Sequence, residues 1–179
     1  QDVLDCFAQA RRLGHGNINM DLIAGLPLDT PARFAQTLQG VLALAPENIT
    51  VHTLTLKRAS NLVIEHAPNA YGDVARMLDS CALLGENGYE PYYLYRQKNM
   101  AGNFENVGYA APGKACIYNI LIMEEKQTIV ACGAGTTTKV TFPAENRLER
   151  AENVKDVASY IERIDEMIDR KEKLLSKLV

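Results

Sequence analysis

The sequence predicts an α/β fold, because two β-branched strands flank an amphipathic helix and the connections between them are short. The first strand spans residues 17–23, and its polar and apolar side chains alternate. The helix begins at Thr30-Pro31 and ends before Pro46, and the second strand spans residues 48–56. A strand, a helix and a strand joined in this way form a βαβ unit, with parallel strands and a right-handed crossover.

The first strand is unusual because only one of its two faces is apolar. One face carries Ile18, Met20 and Leu22, and the other carries Asn17, Asn19 and Asp21, followed by Ile23. Strands of parallel sheets are normally covered on both faces and are apolar throughout. The polar face therefore indicates a cavity, and Asp21 lies near the carboxyl end of the strand, where α/β folds bind their ligands.

The first two helices are predicted from their apolar spacing and their end signals. Residues 2–13 place Val3, Leu4, Phe7 and Ala10 on one stripe, and Gly14 ends that helix. In the second helix Thr30 caps free amide groups and Pro31 suits the first helical position. Its buried stripe is predicted to consist of Phe34, Leu38, Val41, Leu42 and Ala45.

The second strand also has two faces. One carries Val51, Thr53 and Thr55, and the other carries His52, Leu54 and Leu56. If Thr53 and Thr55 share a face with Asp21, the two strands line one polar cavity. His52 would then face outward, and we expect a buried, hydrogen-bonded histidine there rather than a metal or haem ligand.

The composition of the chain changes after the third predicted strand. Beyond a loop around residues 57–69, residues 70–87 predict a helix and Glu90–Gln97 a tyrosine-rich strand. Asn99–Gly113 is rich in Gly, Asn and Ala, which predicts an irregular loop. We therefore predict two domains, residues 1–97 and residues 98–179.

The second domain is predicted to combine short strands with one long helix. The strands are Lys114–Glu124 and Gln127–Cys132, which form a hairpin, then Thr136–Phe142 and Asn146–Arg150. From Asn153 onward the apolar residues nearly follow a heptad that Lys171 breaks: Val154, Val157, Ile161, Ile164, Ile168, Leu175 and Leu178. This helix either docks onto the rest of the protein or associates with a second copy.

Composition and charge exclude several classes of function. The net charge is −3 and no basic cluster occurs, so we expect no nucleic-acid partner. No apolar run is long enough to cross a bilayer and there is no secretory signal, so we expect no membrane association and a cytoplasmic protein. The four cysteines, Cys6, Cys81, Cys116 and Cys132, are dispersed and predict ordinary thiols. The first residue is Gln1 rather than methionine, which favours a fragment or a processed product.

Two motifs carry a resemblance to a known family. Asp21-Leu-Ile-Ala-Gly-Leu-Pro27, followed by Thr30 and Phe34, resembles the later half of the radical S-adenosylmethionine barrel of oxygen-independent coproporphyrinogen III oxidases and their relatives. Pro91-Tyr-Tyr-Leu-Tyr-Arg-Gln-Lys-Asn-Met100, with Asn106-Val-Gly-Tyr109 and Tyr118-Asn-Ile120, resembles their coproporphyrinogen dehydrogenase branch. The resemblance implies that residues 1–97 are the C-terminal βα units of an incomplete (β/α) barrel. Residues 98–179 would be a small α+β extension ending in a long helix.

The resemblance also implies cofactors and partners for a full-length parent. In this family a CxxxCxxC loop holds a [4Fe–4S] cluster, S-adenosylmethionine binds to it, and the resulting radical starts the decarboxylation of porphyrinogen propionates. The chain lacks this loop. The resemblance therefore implies an inactive fragment of an oxidoreductase of haem biosynthesis, whose parent takes a porphyrinogen substrate and an electron donor. No catalytic residue and no metal ligand is assigned to the chain.

Some site residues carry over by their position in the motifs. Asp21 matches an aspartate near the adenosine of S-adenosylmethionine, Ile23 an aliphatic residue that packs beside it, and Thr55 a small residue that borders the same cofactor. A carboxylate can accept hydrogen bonds from ribose hydroxyls, and an apolar neighbour can pack on adenine. Arg96 and Lys98, at a strand end, are weaker candidates for pairing with substrate carboxylates.

Two other functions stay open at this point. Some relatives on the same fold bind and deliver haem rather than decarboxylate a porphyrinogen. The chain could also be a self-contained interaction module whose long C-terminal helix mediates assembly. An incomplete barrel exposes a sheet edge and apolar surface, so we expect the chain to dimerise through that edge or through the helix.

Overall fold

A computed structural model of the protein describes residues 1–55, 73–96 and 104–178. The chain divides into two compact units, Gln1–Cys116 and Ile117–Val179. The first unit contains α1 (Asp2–Arg12), β1 (Asn19–Ala24), α2 (Pro31–Leu44), β2 (Asn48–Thr53), α3 (Val74–Asp79), α4 (Ala82–Glu86), β3 (Glu90–Tyr95) and β4 (Asn106–Ala110). The second contains α5 (Ile117–Met123), β5 (Thr137–Phe142), β6 (Arg147–Glu152), α6 (Val157–Glu162) and α7 (Ile164–Leu175).

The sheet of the first unit is mixed, with the strand order β1-β2-β4-β3. β1 and β2 are parallel, as the predicted βαβ unit requires. β4 is antiparallel to both β2 and β3. The parallel register of β1 and β2 pairs Asp21 with Thr50 and Ile23 with His52. Paired residues of neighbouring strands lie on the same face of a sheet, so this register decides which side chains meet Asp21.

α2 begins and ends where its sequence signals place it. The Thr30 hydroxyl accepts a hydrogen bond from the backbone N–H of Arg33 at 3.2 Å, and Pro31 is the first helical residue. Ala45 follows the helix in the left-handed conformation with φ of 50°, immediately before Pro46. Phe34, Leu38 and Val41 are buried, which confirms the predicted apolar stripe at these positions.

The core of the first unit lies on the apolar face of β1 and β2. Leu22 and Ala24 are buried on β1, whereas Asn19, Asp21 and Ile23 are exposed, so the two-faced strand is confirmed. The core cluster joins these strands to α2, α3 and α4. Its members are Leu22, Ala24, Phe34, Leu38, Val41, Ile49, Val51, Val74, Met77, Cys81, Leu84 and Tyr89.

The predicted irregular loop over Asn99–Gly113 is wrong for its later part, where β4 forms. Gly108 lies between β2 and β3, and a Cβ atom there would collide with the ring of Tyr93. The glycine that weakened the strand prediction is therefore the residue that lets the aromatic ring cross β4. Because β4 belongs to the first sheet, the compact units divide after Cys116 rather than at residue 97.

The predicted helix over residues 70–87 is two short helices in the part of it that the structure describes. Backbone N–H groups of Ser80 and Cys81 bond to carbonyl groups three residues earlier, on Met77 and Leu78. Such bonds belong to a tighter turn than the α-helix, and they separate α3 from α4. Both helices still present their apolar side chains to the core.

In the second unit the strand predictions are correct in one half and wrong in the other. β5 and β6 form an antiparallel hairpin, as predicted for Thr136–Phe142 and Asn146–Arg150. The hairpin predicted from Lys114–Glu124 and Gln127–Cys132 is absent from the described residues, because Ile117–Met123 is helical. Ile129 forms a single bridge with Lys139. The helix predicted from Asn153 begins later, at Val157, and breaks at Arg163 into α6 and α7.

Within residues 1–55, 73–96 and 104–178, no helix combines the length and the apolar character that crossing a membrane requires.

Candidate functional site

A cavity of about 450 Å³ opens near the carboxyl ends of β1 and β2. Small-molecule sites in proteins commonly enclose about 300–1,000 Å³. The wall of this cavity contains all three residues that the motifs suggested for cofactor binding. The cavity is lined by, among others, Asp21, Ile23, His52, Thr53, Thr55 and Tyr95.

Asp21 stands on the polar face of β1, and its side chain is 59% exposed on the cavity wall. The amide of Asn19 donates a hydrogen bond to its Oδ1 at 2.6 Å. The carbonyl oxygen of Asn19 in turn accepts a hydrogen bond from the Thr50 hydroxyl at 3.0 Å. The carboxylate is thus held by its own strand and the next one while part of it stays open to the cavity.

His52 is the second polar group beside Asp21, and the sequence analysis placed it on the wrong face. Its Nε2 lies 3.6 Å from Asp21 Oδ2, an ion pair when the imidazole is protonated. Its Nδ1 lies 3.3 Å from the Tyr95 hydroxyl. The parallel register puts His52 on the Asp21 face and Thr53 on the other. Thr53, the last residue of β2, and Thr55, which follows the strand, nevertheless line the cavity.

The neighbours of Asp21 favour its charged form. Contact with His52 lowers the pKa of Asp21 below its ordinary 3.8, and the contacts with Asn19 and Thr50 act in the same direction. Desolvation opposes them by raising the pKa, but the net direction is downward. Asp21 is therefore ionised at neutral pH and offers only hydrogen-bond acceptors.

The candidates for substrate contact are less well defined. Arg96 follows β3, and its guanidinium pairs with the Glu105 carboxylate at 2.6 Å. The Arg96 side chain is 56% exposed and that of Glu105 40%, so the pair leaves the cation in reach of solvent. Lys98 lies outside the described residues. Tyr95, in the tyrosine-rich strand β3, lines the cavity and contacts His52.

The described residues fit the nucleoside half of S-adenosylmethionine. The cavity combines an ionised acceptor, Asp21, with the partly exposed aliphatic side chain of Ile23. Ribose hydroxyls are hydrogen-bond donors, and adenine packs against apolar groups. Asp21 could accept from the ribose and Ile23 could pack on the adenine, and the two residues lie two positions apart on β1.

The described residues do not fit an iron–sulfur cluster. Cluster iron is bound by several thiolates held close together. Among the residues that the structure describes, no three His, Cys, Asp or Glu side chains are grouped so that they could hold a metal ion. Burial raises the pKa of the Cys81 thiol to about 11, which keeps it protonated.

The sequence analysis missed the partnership of His52 and Tyr95 with Asp21. The signal that would have found it is the register of β1 against β2. Once Asp21 is paired with Thr50, the alternation of a strand puts His52, two residues later, on the same face as Asp21.

Comparison with known proteins finds relatives for almost the whole chain, although no protein-family model matches it. The chain is 43% identical over 182 residues to the oxygen-independent coproporphyrinogen-III oxidase-like protein HemZ of Bacillus subtilis (strain 168). That match covers 99% of this chain and 36% of the relative. It is also 33% identical over 86 residues to the oxygen-independent coproporphyrinogen III oxidase of Escherichia coli (strain K12), covering 45% of this chain and 19% of that protein.

The fold has a counterpart among solved structures. The coproporphyrinogen III oxidase HemN of Escherichia coli, described as a radical SAM enzyme, superposes with a TM-score of 0.62 at 19% identity. The superposition covers 92% of this chain and 37% of that structure, and it confirms the predicted α/β fold class. The chain is thus similar over nearly its whole length to an oxygen-independent coproporphyrinogen-III oxidase-like protein and shares the fold of a radical SAM enzyme, and it spans about a third of the length of these two relatives.

Proposed function

We propose that this chain forms the nucleoside-binding part of a radical S-adenosylmethionine enzyme that oxidatively decarboxylates the propionate side chains of a porphyrinogen. The names of its relatives support the reaction class. The observation that carries the proposal is the Asp21 carboxylate, which is ionised, held by its neighbours and open to a cavity of about 450 Å³.

In this proposal Asp21 accepts hydrogen bonds from the ribose hydroxyls of S-adenosylmethionine. Ile23 packs against the adenine, and Thr55 borders the cofactor in the same cavity. S-adenosylmethionine, when bound, supplies the hydrogen-abstracting chemistry of this reaction class. The ligands of a [4Fe–4S] cluster are expected from residues outside this chain, since the relatives are about three times as long.

The substrate and the other partners follow from the same reaction class. A porphyrinogen carries several carboxylates, and Arg96 is proposed to pair with one of them in exchange for Glu105. An electron donor is a further proposed partner, because the cleavage of S-adenosylmethionine that starts this class of reaction is a reduction. We place the protein in the cytoplasm, because its four cysteines are free thiols. The proposed surfaces for self-association are the edge that β1 forms in the described part of the sheet and the exposed apolar residues of α6 and α7.

The test is the affinity for S-adenosylmethionine in a protein of the relatives' full length that contains this chain. Asp21→Asn keeps the size of the side chain but replaces one acceptor by a donor. Loss of a charged hydrogen bond costs about 1.5–3 kcal/mol, so we expect the dissociation constant to rise about tenfold to about a hundredfold. Equilibrium dialysis under anaerobic conditions measures it.

The control is Asp79→Asn, on the exposed surface of α3, which should bind as the unaltered protein does. An unchanged affinity for Asp21→Asn would rule out the nucleoside-binding role. The reaction class is tested with the unaltered full-length protein, loaded with iron and sulfide and given S-adenosylmethionine, reductant and coproporphyrinogen. Release of carbon dioxide would support the decarboxylase function. Binding of added haem without release of carbon dioxide would instead support a function in haem delivery.

A further inference from the structure

We propose that His52 and Tyr95 are positioning residues that hold the Asp21 carboxylate in the orientation in which it accepts hydrogen bonds from a ribose. The proposal rests on the nucleoside-binding function proposed above. Neither residue was singled out by the motifs as a site residue. Both line the cavity of about 450 Å³ together with Asp21.

The two oxygens of Asp21 are approached from different strands. Oδ1 accepts from the Asn19 amide at 2.6 Å, within β1 itself. Oδ2 faces Nε2 of His52, on β2, at 3.6 Å. A carboxylate has about four acceptor positions, so about two remain for a ligand. With one oxygen fixed by each strand, the remaining positions have a defined direction, which suits two neighbouring hydroxyls.

In this proposal the Tyr95 hydroxyl sets which nitrogen of His52 carries the proton. Its hydroxyl lies 3.3 Å from Nδ1. When the hydroxyl donates to Nδ1, the proton of the neutral imidazole resides on Nε2, the nitrogen that faces Asp21. Metal-binding histidines are oriented by partners in the same way, through the nitrogen that does not bind the metal. The tautomer is assigned from these two contacts.

Tyr95 is itself fixed by the packing of β3. Its ring stacks on that of Tyr93, with the planes 6° apart and the centroids 6.3 Å apart. The Tyr93 ring occupies the space that the missing side chain of Gly108 leaves on β4. His52 meets the Tyr95 ring edge-on, at 71°. Asp21, His52 and Tyr95 thus form one polar row across the sheet, anchored by aromatic packing at its far end.

A second row of the same kind lies beside the first on this face of the sheet. Asn19 contacts Thr50 at 3.0 Å, and Thr50 contacts Tyr93. Each row runs from β1 through β2 to β3, and Asn19 joins the two rows through its bond to Asp21. A ligand that meets Asp21 therefore meets a side chain whose position is set by three strands.

The experiment measures S-adenosylmethionine binding in the full-length protein, with no turnover required. His52→Phe keeps the ring volume and removes both nitrogens, and we expect affinity to fall about threefold to about tenfold. His52→Gln places an amide nitrogen near the position of Nε2 and should recover most of that loss. Tyr95→Phe should weaken binding about twofold to about fivefold. His15→Phe, at an exposed residue after α1, is the matched control and should change nothing.

A double-mutant cycle separates positioning from mere structural support. If His52 acts through Asp21, the protein with both Asp21→Asn and His52→Phe should bind no more weakly than Asp21→Asn alone. Independent effects that multiply would overturn the proposal, and so would failure of His52→Gln to recover affinity. The mild substitutions His52→Gln and Tyr95→Phe keep the test available if His52→Phe lowers the melting temperature.

The two proposals fail in different ways. If Asp21→Asn binds S-adenosylmethionine normally, the nucleoside-binding function is wrong. His52 and Tyr95 would then have no ligand-binding group to position. If Asp21→Asn weakens binding while His52→Phe and Tyr95→Phe bind normally, the function stands and the positioning role is wrong.

Discussion

The two compact units differ in how much apolar surface each buries. In the first, Phe34, Leu38, Ile49 and Met77 are among the fully buried members of one cluster that joins the sheet to three helices. In the second, the cluster consists of Val140, Phe142, Ala151 and Leu174. There Val157 and Ile161 of α6 remain 63% and 66% exposed, although their spacing predicts a buried stripe.

This difference explains why the candidate site lies in the first unit. Burying the even-numbered residues of β1 fixes its register, because a slip by one residue would turn every side chain to the other face. The position of Asp21 on the open face is thus determined by Leu22 and Ala24 on the buried one. The polar side chains of β1 are therefore held in place by the packing of the apolar side chains on its other face.

The second unit relies more on charged pairs at its surface. Glu125 pairs with Lys139 and Arg150, both at 3.1 Å, and Glu166 pairs with Arg163 and Arg170 on the helices. Exposed ion pairs each stabilise a protein by only about 0–1 kcal/mol. Such pairs do not hold side chains to the tolerance that a binding site needs.

The largest expected effect comes from emptying the core of the first unit. Phe34 is 2% exposed, and Phe34→Ala should destabilise that unit by about 3–5 kcal/mol through lost burial and the cavity left behind. Hydrogen exchange of β1 and β2, measured by mass spectrometry on the intact protein, should accelerate accordingly.

The corresponding change in the second unit is Leu174→Ala. We expect it to destabilise that unit by about 2–3 kcal/mol, measured by hydrogen exchange of β5 and β6. Leu174 is 6% exposed and belongs to a smaller cluster, so its site can collapse more easily. Equal effects of the two substitutions would show that the units are held together equally well, contrary to the comparison.

A smaller effect is expected at the start of α2. Thr30→Ala removes the hydroxyl that accepts from the Arg33 N–H and should cost about 1 kcal/mol in the stability of the first unit. Thr37→Ala is the matched control, because its hydroxyl only bonds back to the Arg33 carbonyl within the helix. Alanine is the better helix former there, so the control should be neutral or stabilising. A cost for Thr37→Ala equal to that for Thr30→Ala would contradict the capping role.

The βαβ part of the fold could be predicted because its signals are local. The Thr30-Pro31 cap, the apolar stripe of α2 and the alternation of β1 all act within a few residues. Asp21, Ile23 and Thr55 could be placed in one cavity from these signals together with the family motifs. Their cofactor-binding role stays a prediction until affinity is measured.

The rest depends on contacts between segments that are distant in the chain. β4 contains Gly and Asn, which disfavour strands locally, yet Gly108 fits beneath Tyr93 and Asn106 accepts from the Thr53 N–H at 2.8 Å. Ile117–Met123 is rich in strand-forming residues and is nevertheless helical, a result for which the described contacts give no physical reason. His52 could not be assigned to Asp21 without the register.

The smallest expected effect is a pH dependence of one helix N-cap. It distinguishes the cap of α6 in the second unit from the cap of α2 in the first. The cap of α6 is Asp156, whose carboxylate accepts from the Ser159 N–H at 2.9 Å. This bond, with one from the Ser159 hydroxyl, lowers the pKa of Asp156 below its ordinary 3.8. A group with a lowered folded-state pKa stabilises the fold above its ordinary pKa, and that contribution is lost as the pH falls through the folded-state value.

We therefore expect the Ser159 amide resonance to titrate in NMR spectra with a midpoint below 3.8 as α6 loses its cap. The Arg33 amide at the Thr30 cap should not follow the same curve, because a hydroxyl does not ionise in this range. Asp156→Asn keeps an acceptor oxygen and should abolish the Ser159 titration. A Ser159 midpoint at or above 3.8 would mean that the cap bond contributes nothing to the second unit, whose helix would then depend on its other contacts alone.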